Sequence, residues 1–255
     1  MIHVRQFPSP PDDNYGFLVH DDVANETVVV DTPDVDTIFA AADKEGWTIT
    51  QIWNTHWHPD HAGGNAAIKA RTGARVTGPR EVERIGQAPD RVVDEGDTVM
   101  LGQHAARVLN VGGHTLGHIA YVLDSEKIGF VGDALFSLGC GKMFEGTAPQ
   151  FWASLQKIAA LPDDFTLYCA HEYTAGNARY ALHVDPDNAA LRERADEIAK
   201  LRAANKPTVP MQLGREKATN PFLRAPKLKA SLGLAGAPDH EAFAALREGK
   251  NNFKG

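Results

Sequence analysis

The stretch Thr55-His56-Trp57-His58-Pro59-Asp60-His61 constrains this chain more than any other feature. Three histidines and an aspartate fall within six residues, directly after the β-rich run 49–53 and just before Gly63-Gly64. In an extended segment, positions two apart project to the same side, so His56 and His58 can face one metal ion. Asp60 and His61 follow as the chain turns and can face a second. Imidazole and carboxylate donors suit zinc and related first-row metals. A solvated histidine-rich turn is the plain alternative, but it needs neither the apolar lead-in nor the glycine pair. The fold must therefore hold this loop firmly at the end of a strand.

Four ligands cannot complete two sites, so others must come from later in the chain. Three candidates stand where loops follow apolar runs: His114 in Val111-Gly112-Gly113-His114-Thr115, Asp133 in Val131-Gly132-Asp133, and His171 in Ala170-His171-Glu172. Taken singly each is weak, because a lone loop histidine is more often a surface or core residue. Beside the first cluster they supply what two sites need. His114 can complete one site and His171 the other, while Asp133 has two oxygens with which to bridge. Of the remaining histidines, His3, His20, His104, His183 and His240 read as ordinary surface or half-buried residues, and His118 as structural support behind the ligands. No Gly-x-Ser-x-Gly elbow is present, and Cys140 has no histidine beside it in sequence. The expected nucleophile is therefore a water activated between two metals, oriented by Asp60, with Asp133 holding the pair together.

The pattern to about residue 170 is mixed. Strands are expected at 16–19, 27–30, 49–53, 107–109, 119–123 and 127–131, with helices at 35–42 and from about 63 to 71. Beyond 171 the pattern turns helical, at 173–182, 186–202 and 239–247. Asp185-Pro186 reads as a helix start, with aspartate as cap and proline in the first turn. Leu191, Ala195, Ile198 and Leu201 give that helix one apolar face. The expected division is an α/β catalytic domain over 1–170 and a helical, substrate-binding domain over 171–255. Acidic residues number 33 and basic residues 26, for a formal charge of −7, which argues against a broadly basic nucleic-acid binder. No apolar run reaches the roughly 18 residues of a membrane helix, and residues 1–14 lack the pattern of a secretory leader. Cytoplasmic location and a monomer are the expectations, with Cys140 and Cys169 as small, buried, reduced thiols.

These residues resemble the metallo-β-lactamase superfamily and, within it, the glyoxalase II (hydroxyacylglutathione hydrolase) family. The resemblance runs through Asp13-Asn14-Tyr15, the THWHPDH cluster, Gly113-His114-Thr115, Gly132-Asp133, Gly139-Cys140-Gly141-Lys142-Met143-Phe144-Glu145-Gly146, Ala170-His171-Glu172-Tyr173, Asn220-Pro221-Phe222 and Arg247-Glu248-Gly249-Lys250. The metal motif is superfamily-wide; the GCGK…EG segment and the terminal Arg-x-x-Lys are more specific. The resemblance implies an α/β fold, a four-layer αββα sandwich with a small C-terminal helical domain. It implies His56, His58 and His114 on one metal, Asp60, His61 and His171 on the other, and Asp133 bridging. The metals it implies are two divalent ions, zinc foremost, with iron or manganese admitted by the same donors. It implies hydrolysis of S-(2-hydroxyacyl)glutathione thioesters, chiefly S-D-lactoylglutathione, with Lys142, Phe144, Tyr173, Arg247 and Lys250 on the glutathione. Phe144 departs from the family's usual tyrosine and loses one hydroxyl. For Arg247 and Lys250 the plain alternative is a basic helix end complementing the helix dipole. Rival activities on the same fold are a lactonase, a persulfide dioxygenase, a β-lactamase and a nucleic-acid hydrolase. A non-catalytic binding protein is the rival from another class. The full ligand set, the terminal Arg-x-x-Lys and the acidic balance speak against them.

Overall fold

A computed structural model describes residues 1–9 and 13–255. The stretch read for a leader includes residues 10–12, which lie outside the described residues. The chain forms two compact units: residues 1–110 with 117–132, and residues 111–116 with 133–255.

In the first unit, strands β1 (Ile2–Ser9), β2 (Asn14–Asp21) and β3 (Glu26–Val30) run antiparallel. Helix α1 (Val35–Glu45) then crosses to β4 (Ile49–Trp53), which lies parallel to β3. A short helix α2 (Pro59–Ala62) and α3 (Asn65–Thr72) lead to parallel β5 (Arg75–Gly78) and β6 (Arg91–Val92). A second, antiparallel set follows: β7 (Thr98–Leu101), β8 (His104–Asn110), β9 (Ile119–Leu123) and β10 (Ile128–Gly132). Asp34 caps α1 by accepting from the Thr37 amide at 2.8 Å, and Gly46 ends the helix in the left-handed region. Ile38, Ala42 and Ile68 from the helices pack on Leu18, Val29, Ile52 and Val76 from the first sheet. Between the sheets the core is aromatic: Trp53 stacks on Tyr121 at 5.1 Å, and Phe17 meets Phe130 at 5.7 Å. The strand periodicity anticipated β2, β3, β4, β8, β9 and β10 but not β5, β6 or β7. It did not reveal β1, whose half-exposed side chains and Pro8 obscure the alternation.

The second unit holds the hairpin β11 (Leu135–Phe136) and β12 (Gly139–Cys140), then α4 (Ala148–Ala159) and β13 (Thr166–Cys169). Helices α5 (Thr174–Val184) and α6 (Ala189–Ala203) follow, then β14 (Met211–Gln212), antiparallel to β13. The chain continues through α7 (Leu213–Thr219), α8 (Ala225–Leu228) and α9 (Asp239–Asn252). Leu191 and Ile198 of α6 are buried against Leu138, Ala178 and Ala181. Their spacing is the helical one anticipated. The start of α6 is not. Asn188 is the cap, accepting from the Leu191 amide at 3.2 Å. Asp185 instead ends α5 and takes the Arg224 Nε–H at 2.8 Å, because a partly buried guanidinium competes for its carboxylate. The stretch 211–215 is the β14–α7 junction.

Candidate metal centre

In the first unit the metal loop leaves β4 and is fixed at both ends by one side chain, Asp31, at the end of β3. Asp31 Oδ1 accepts the Thr55 amide at 2.8 Å. Its Oδ2 accepts the Thr55 hydroxyl at 2.8 Å and faces His61 Nδ1 at 2.8 Å. Asp31 itself sits at φ 58°, in the left-handed region, which its short polar side chain tolerates. Around it, the Thr32 amide and Asn54 Nδ2 both donate to the His61 carbonyl, at 2.8 and 3.0 Å, and Asn65 Nδ2 donates to Asn54 Oδ1 at 2.7 Å.

This frame decides which imidazole nitrogens are available. His61 donates through Nδ1 to Asp31, which turns the Nε2 lone pair outward. Thr55 gives its proton to Asp31 and can then accept from His56 Nδ1 at 3.0 Å, so His56 likewise presents Nε2. His56 Nε2 and His58 Nδ1 stand 2.9 Å apart. Two nitrogens on a tetrahedral zinc lie roughly 3.3 Å apart, given bonds of 2.0–2.1 Å. Asp60 Oδ2 lies 3.5 Å from His61 Nε2 and accepts from Asn14 Nδ2 at 3.5 Å. His56 and His61 are buried, while His58 and Asp60 are half-exposed. His118 is buried and stacks on His56 with centroids 4.6 Å apart, in the supporting place anticipated for it. A Cβ on Gly132 would stand 2.6 Å from Thr55 Oγ1 and 2.9 Å from His118 Nε2, and its φ is +48°, so only glycine serves there.

In the second unit Asp133 is the centre. His114 Nε2 lies 3.5 Å and His171 Nε2 3.3 Å from the same oxygen, Oδ2. Sequence suggested a bridge through two oxygens; the structure turns a single one toward both rings. His114 Nδ1 faces the Lys142 carbonyl at 2.7 Å, which fixes its tautomer as Asp31 fixes that of His61. A Cβ on Gly113 would meet the Phe151 ring at 2.2 Å, so the turn that delivers His114 requires glycine.

The loop that follows Asp133 is held from behind by a buried ion pair. Arg194 Nη2 bonds Glu216 Oε1 and, at 2.9 Å, Ser137 Oγ; Nη1 donates to Thr219 Oγ1 at 2.6 Å. Glu216 Oε2 accepts the Leu138 amide at 3.0 Å and Asn220 Nδ2 at 3.1 Å. Asn220 Nδ2 also reaches the carbonyls of Phe136 and Gly139, at 3.1 and 2.9 Å. Of this network only Asn220 was quoted from the sequence, in Asn220-Pro221-Phe222, and Asp31 was not singled out. Asp31-Thr32-Pro33 carried a signal, but it reads equally well as ordinary turn chemistry.

The five residues expected to meet glutathione all fall in the second unit. Lys142 is exposed, with its ammonium 5.1 Å from the centroid of the exposed Phe144 ring. Phe144 also lies edge-on to His114. Tyr173 is 43% exposed and stacks flat on His171 at 4.7 Å. Arg247 is buried and gives Nη1 to the Cys140 carbonyl at 2.8 Å. Lys250 donates to the Gly176 carbonyl at 3.0 Å, and burial lowers its pKa, with Arg247 and Arg179 adding to the effect. Both side chains bond groups outside α9, and Arg247 Nη2 also donates to Asn251 Oδ1 within it at 3.2 Å.

Comparison with known proteins fits this geometry. The model of the metallo-beta-lactamase superfamily matches residues 11–171, and that of the hydroxyacylglutathione hydrolase C-terminus matches residues 172–253. The chain is 57% identical over 255 residues to a hydroxyacylglutathione hydrolase of Erythrobacter litoralis, covering 99% of this chain and 100% of that one. It belongs to the hydroxyacylglutathione hydrolase family. A second member, from Maricaulis maris, is 50% identical over 98% of both chains. Among solved structures, ETHE1 from Myxococcus xanthus aligns over 99% of this chain and 92% of its own, with TM-score 0.70 and 25% identity. The BLEG-1 B3 metallo-beta-lactamase aligns over 87% of this chain and 99% of its own, with TM-score 0.67 and 20% identity. The fold is thus the metallo-β-lactamase α/β fold with a helical C-terminal part, as the motifs implied, and family membership implies divalent metal ions. Among the described residues, no helix is long and apolar enough to cross a membrane.

Proposed function

We propose that this chain hydrolyses S-(2-hydroxyacyl)glutathione thioesters, chiefly S-D-lactoylglutathione, to glutathione and a 2-hydroxy acid at a binuclear metal centre. The observation that carries this reading is similarity to hydroxyacylglutathione hydrolases over nearly the whole chain, C-terminal segment included. The metal motif alone selects no substrate. In this reading His56, His58 and His114 hold one ion, Asp60, His61 and His171 hold the other, and Asp133 bridges. The all-nitrogen and oxygen donor set suits zinc and also admits iron or manganese. Bound there, two divalent ions lower the pKa of a water toward about 7 and polarise the thioester carbonyl.

The chain's own groups do the rest. Asp60 accepts a hydrogen bond from the attacking water and orients it toward the carbonyl carbon. Asp31 and the Lys142 carbonyl keep His61 and His114 in the tautomers that leave Nε2 free to coordinate. The leaving thiol has an ordinary pKa of about 8.5, so it departs as thiolate without a strong general acid. Glutathione brings two carboxylates and one ammonium, so on a chain of charge −7 its site needs local cations. Lys142 and Lys250 supply them, with Tyr173 and Phe144 as ring surfaces. Arg247 serves this face by holding the Cys140 carbonyl two residues before Lys142. The reading includes a cytoplasmic monomer, in keeping with the free, buried Cys140 and Cys169.

The test is thiol release from S-D-lactoylglutathione by purified protein, beside a chelated control. Fast, chelator-sensitive release supports the reading. No release from protein shown to hold two metals removes it.

A further inference from the structure

In the first unit, Val76 of β5 packs with the helices on the outer face of the first sheet. Its neighbours Arg75 and Thr77 therefore face the other way, toward the second sheet. The strand register sets Gln51 of β4 beside Arg75, and Arg91 of β6 beside Thr77. These side chains open onto a groove of about 300 Å³ at the edge of the sandwich, with Val99 and Met100 of β7 on its far side. None of the candidate metal ligands lines it. Donors outnumber acceptors here. Among the described residues, the Arg75 guanidinium has no hydrogen bond or ion pair. Arg91 gives Nη2 to the Thr98 carbonyl at 2.8 Å, and its other N–H groups have no partner. Thr77 is only 4% exposed, yet its hydroxyl is unpartnered too, a condition proteins normally avoid. The nearby acids are already engaged. Glu26 Oε2 accepts Gln51 Nε2 at 3.1 Å and the Gly102 amide at 2.9 Å. Asp90 is taken by Lys69 and by the Val76 amide.

We infer that this groove is a second binding site, separate from the metal centre, which takes a phosphoryl group on Arg75, Arg91 and Thr77. The inference does not depend on the thioesterase reading. A guanidinium presents its N–H groups as a planar fork that matches the oxygens of an oxyanion. Two such forks and a hydroxyl supply donors for the three free oxygens of a phosphoryl group, where a carboxylate has only two. The volume also bears on the ligand. A water takes about 30 Å³ in the liquid, so the groove has room for an organic body beyond the phosphate. Met100, 44% exposed, offers that body an apolar surface. The plain alternative is protection of a sheet edge, since inward-pointing charges discourage pairing with another chain and β6 is the last strand of the first sheet. Edge protection needs neither the groove nor a nearly buried hydroxyl without a partner.

The experiment titrates inorganic phosphate, phenyl phosphate and acetate into metal-loaded full-length protein by calorimetry, at about 0.15 M salt. Phosphate should bind with Kd below about 1 mM, and acetate at least about tenfold more weakly. Phenyl phosphate binding more tightly than inorganic phosphate marks a phosphorylated organic molecule as the ligand; equal affinities mark the free ion. Arg75 is exposed, so Arg75→Ala leaves the core intact. It should weaken phosphate at least about tenfold, the worth of a charge-assisted bond. Arg75→Lys keeps the charge, loses the fork and should show part of that loss. Thr77→Val removes the hydroxyl at nearly constant shape and should weaken phosphate about three- to tenfold. Without phosphate its thermal transition should match or exceed the parent's, because no bond within the protein is lost. Phosphate held at the metal centre is common to all variants and does not mimic these losses. No phosphate binding below about 1 mM overturns the site. So does an affinity unchanged in both Arg75→Ala and Thr77→Val. Acetate as tight as phosphate overturns the phosphoryl assignment. Self-association of Arg75→Ala on gel filtration, with phosphate affinity intact, gives the arginines to edge protection instead.

Discussion

Around His61 the supporting groups are small and, Asp31 apart, neutral: Asn65 bonds both Thr32 and Asn54, and Thr55 bonds Asp31. Around the loop from Asp133 to Lys142 the support is a buried ion pair, Arg194 with Glu216, ringed by Ser137, Thr219 and Asn220. The contrast follows from how each candidate ligand set is encoded. His56, His58, Asp60 and His61 are neighbours in sequence, and a strand end with one carboxylate behind it is enough to set them. His114, Asp133 and His171 are far apart in sequence and meet only through tertiary contacts. Closing long loops costs entropy that local bonds do not offset. Such a set needs an anchor that reaches across the unit, and Glu216 fixes the Leu138 amide from α7.

Five substitutions at four positions probe this contrast, from the largest effect to the smallest. Asp133→Ala removes the oxygen shared by His114 and His171. Metal content by elemental analysis and the rate of thiol release should both collapse, the rate by about three orders of magnitude or more. Full metal content with full activity would reject the bridging role. Glu216→Ala leaves Arg194 charged and buried, which costs about 3–5 kcal/mol of stability in urea titration. Glu216→Gln keeps an acceptor for Leu138 and should lose less. If both variants are as stable as the parent, the ion pair is not the anchor.

Asp31→Asn tests the other frame. It retains the size of the side chain but weakens the grip on His61, so metal affinity should fall about 10–100-fold in chelator competition. The thermal transition of the metal-free protein should move little. A large loss of stability with unchanged affinity would reverse the comparison between the two regions. Phe144→Tyr restores the family's usual hydroxyl. It should tighten binding of the glutathione thioester by about 0.5–1.5 kcal/mol, seen as a lower KM at constant kcat.

The same difference in encoding explains what the sequence disclosed. The first candidate set was legible because its spacing suits an extended segment leaving a strand and ending in a turn. The second was legible only by association, since His114, Asp133 and His171 are each unremarkable alone. Asp31 was hidden because a strand-ending aspartate before Thr-Pro has an ordinary explanation. Arg194 and Glu216 were hidden more deeply, since Glu216 lies in a helix the sequence did not predict and nothing links it to Arg194 along the chain. Local signals also misled where tertiary partners compete. Asp185 has the chemistry of a helix cap, but Arg224 takes its carboxylate and Asn188 caps instead. Helix α4 was overlooked although Thr147 and Pro149 mark its start, with Phe151, Leu155 and Ile158 on its buried face.

The burial of Cys140 has a redox consequence. Burial is the main cause that pushes its thiol from 9.0 up to about 11, against the opposing pull of Arg247, whose Nη1 lies 3.8 Å from Sγ. The folded state thus holds this proton more tightly than the unfolded chain. Its contribution to stability is complete below about pH 9 and is lost as pH rises toward about 11. Thiolate is the form that exchanges with disulfides, and near neutral pH this residue offers almost none. Cys169, pushed up to about 12, offers less still. On the proposed activity, which releases glutathione, the protein is thereby insulated from the thiol–disulfide balance its own product would feed. In a native thiol-release assay with an aromatic disulfide reagent, the yellow colour will come from product and not from the protein.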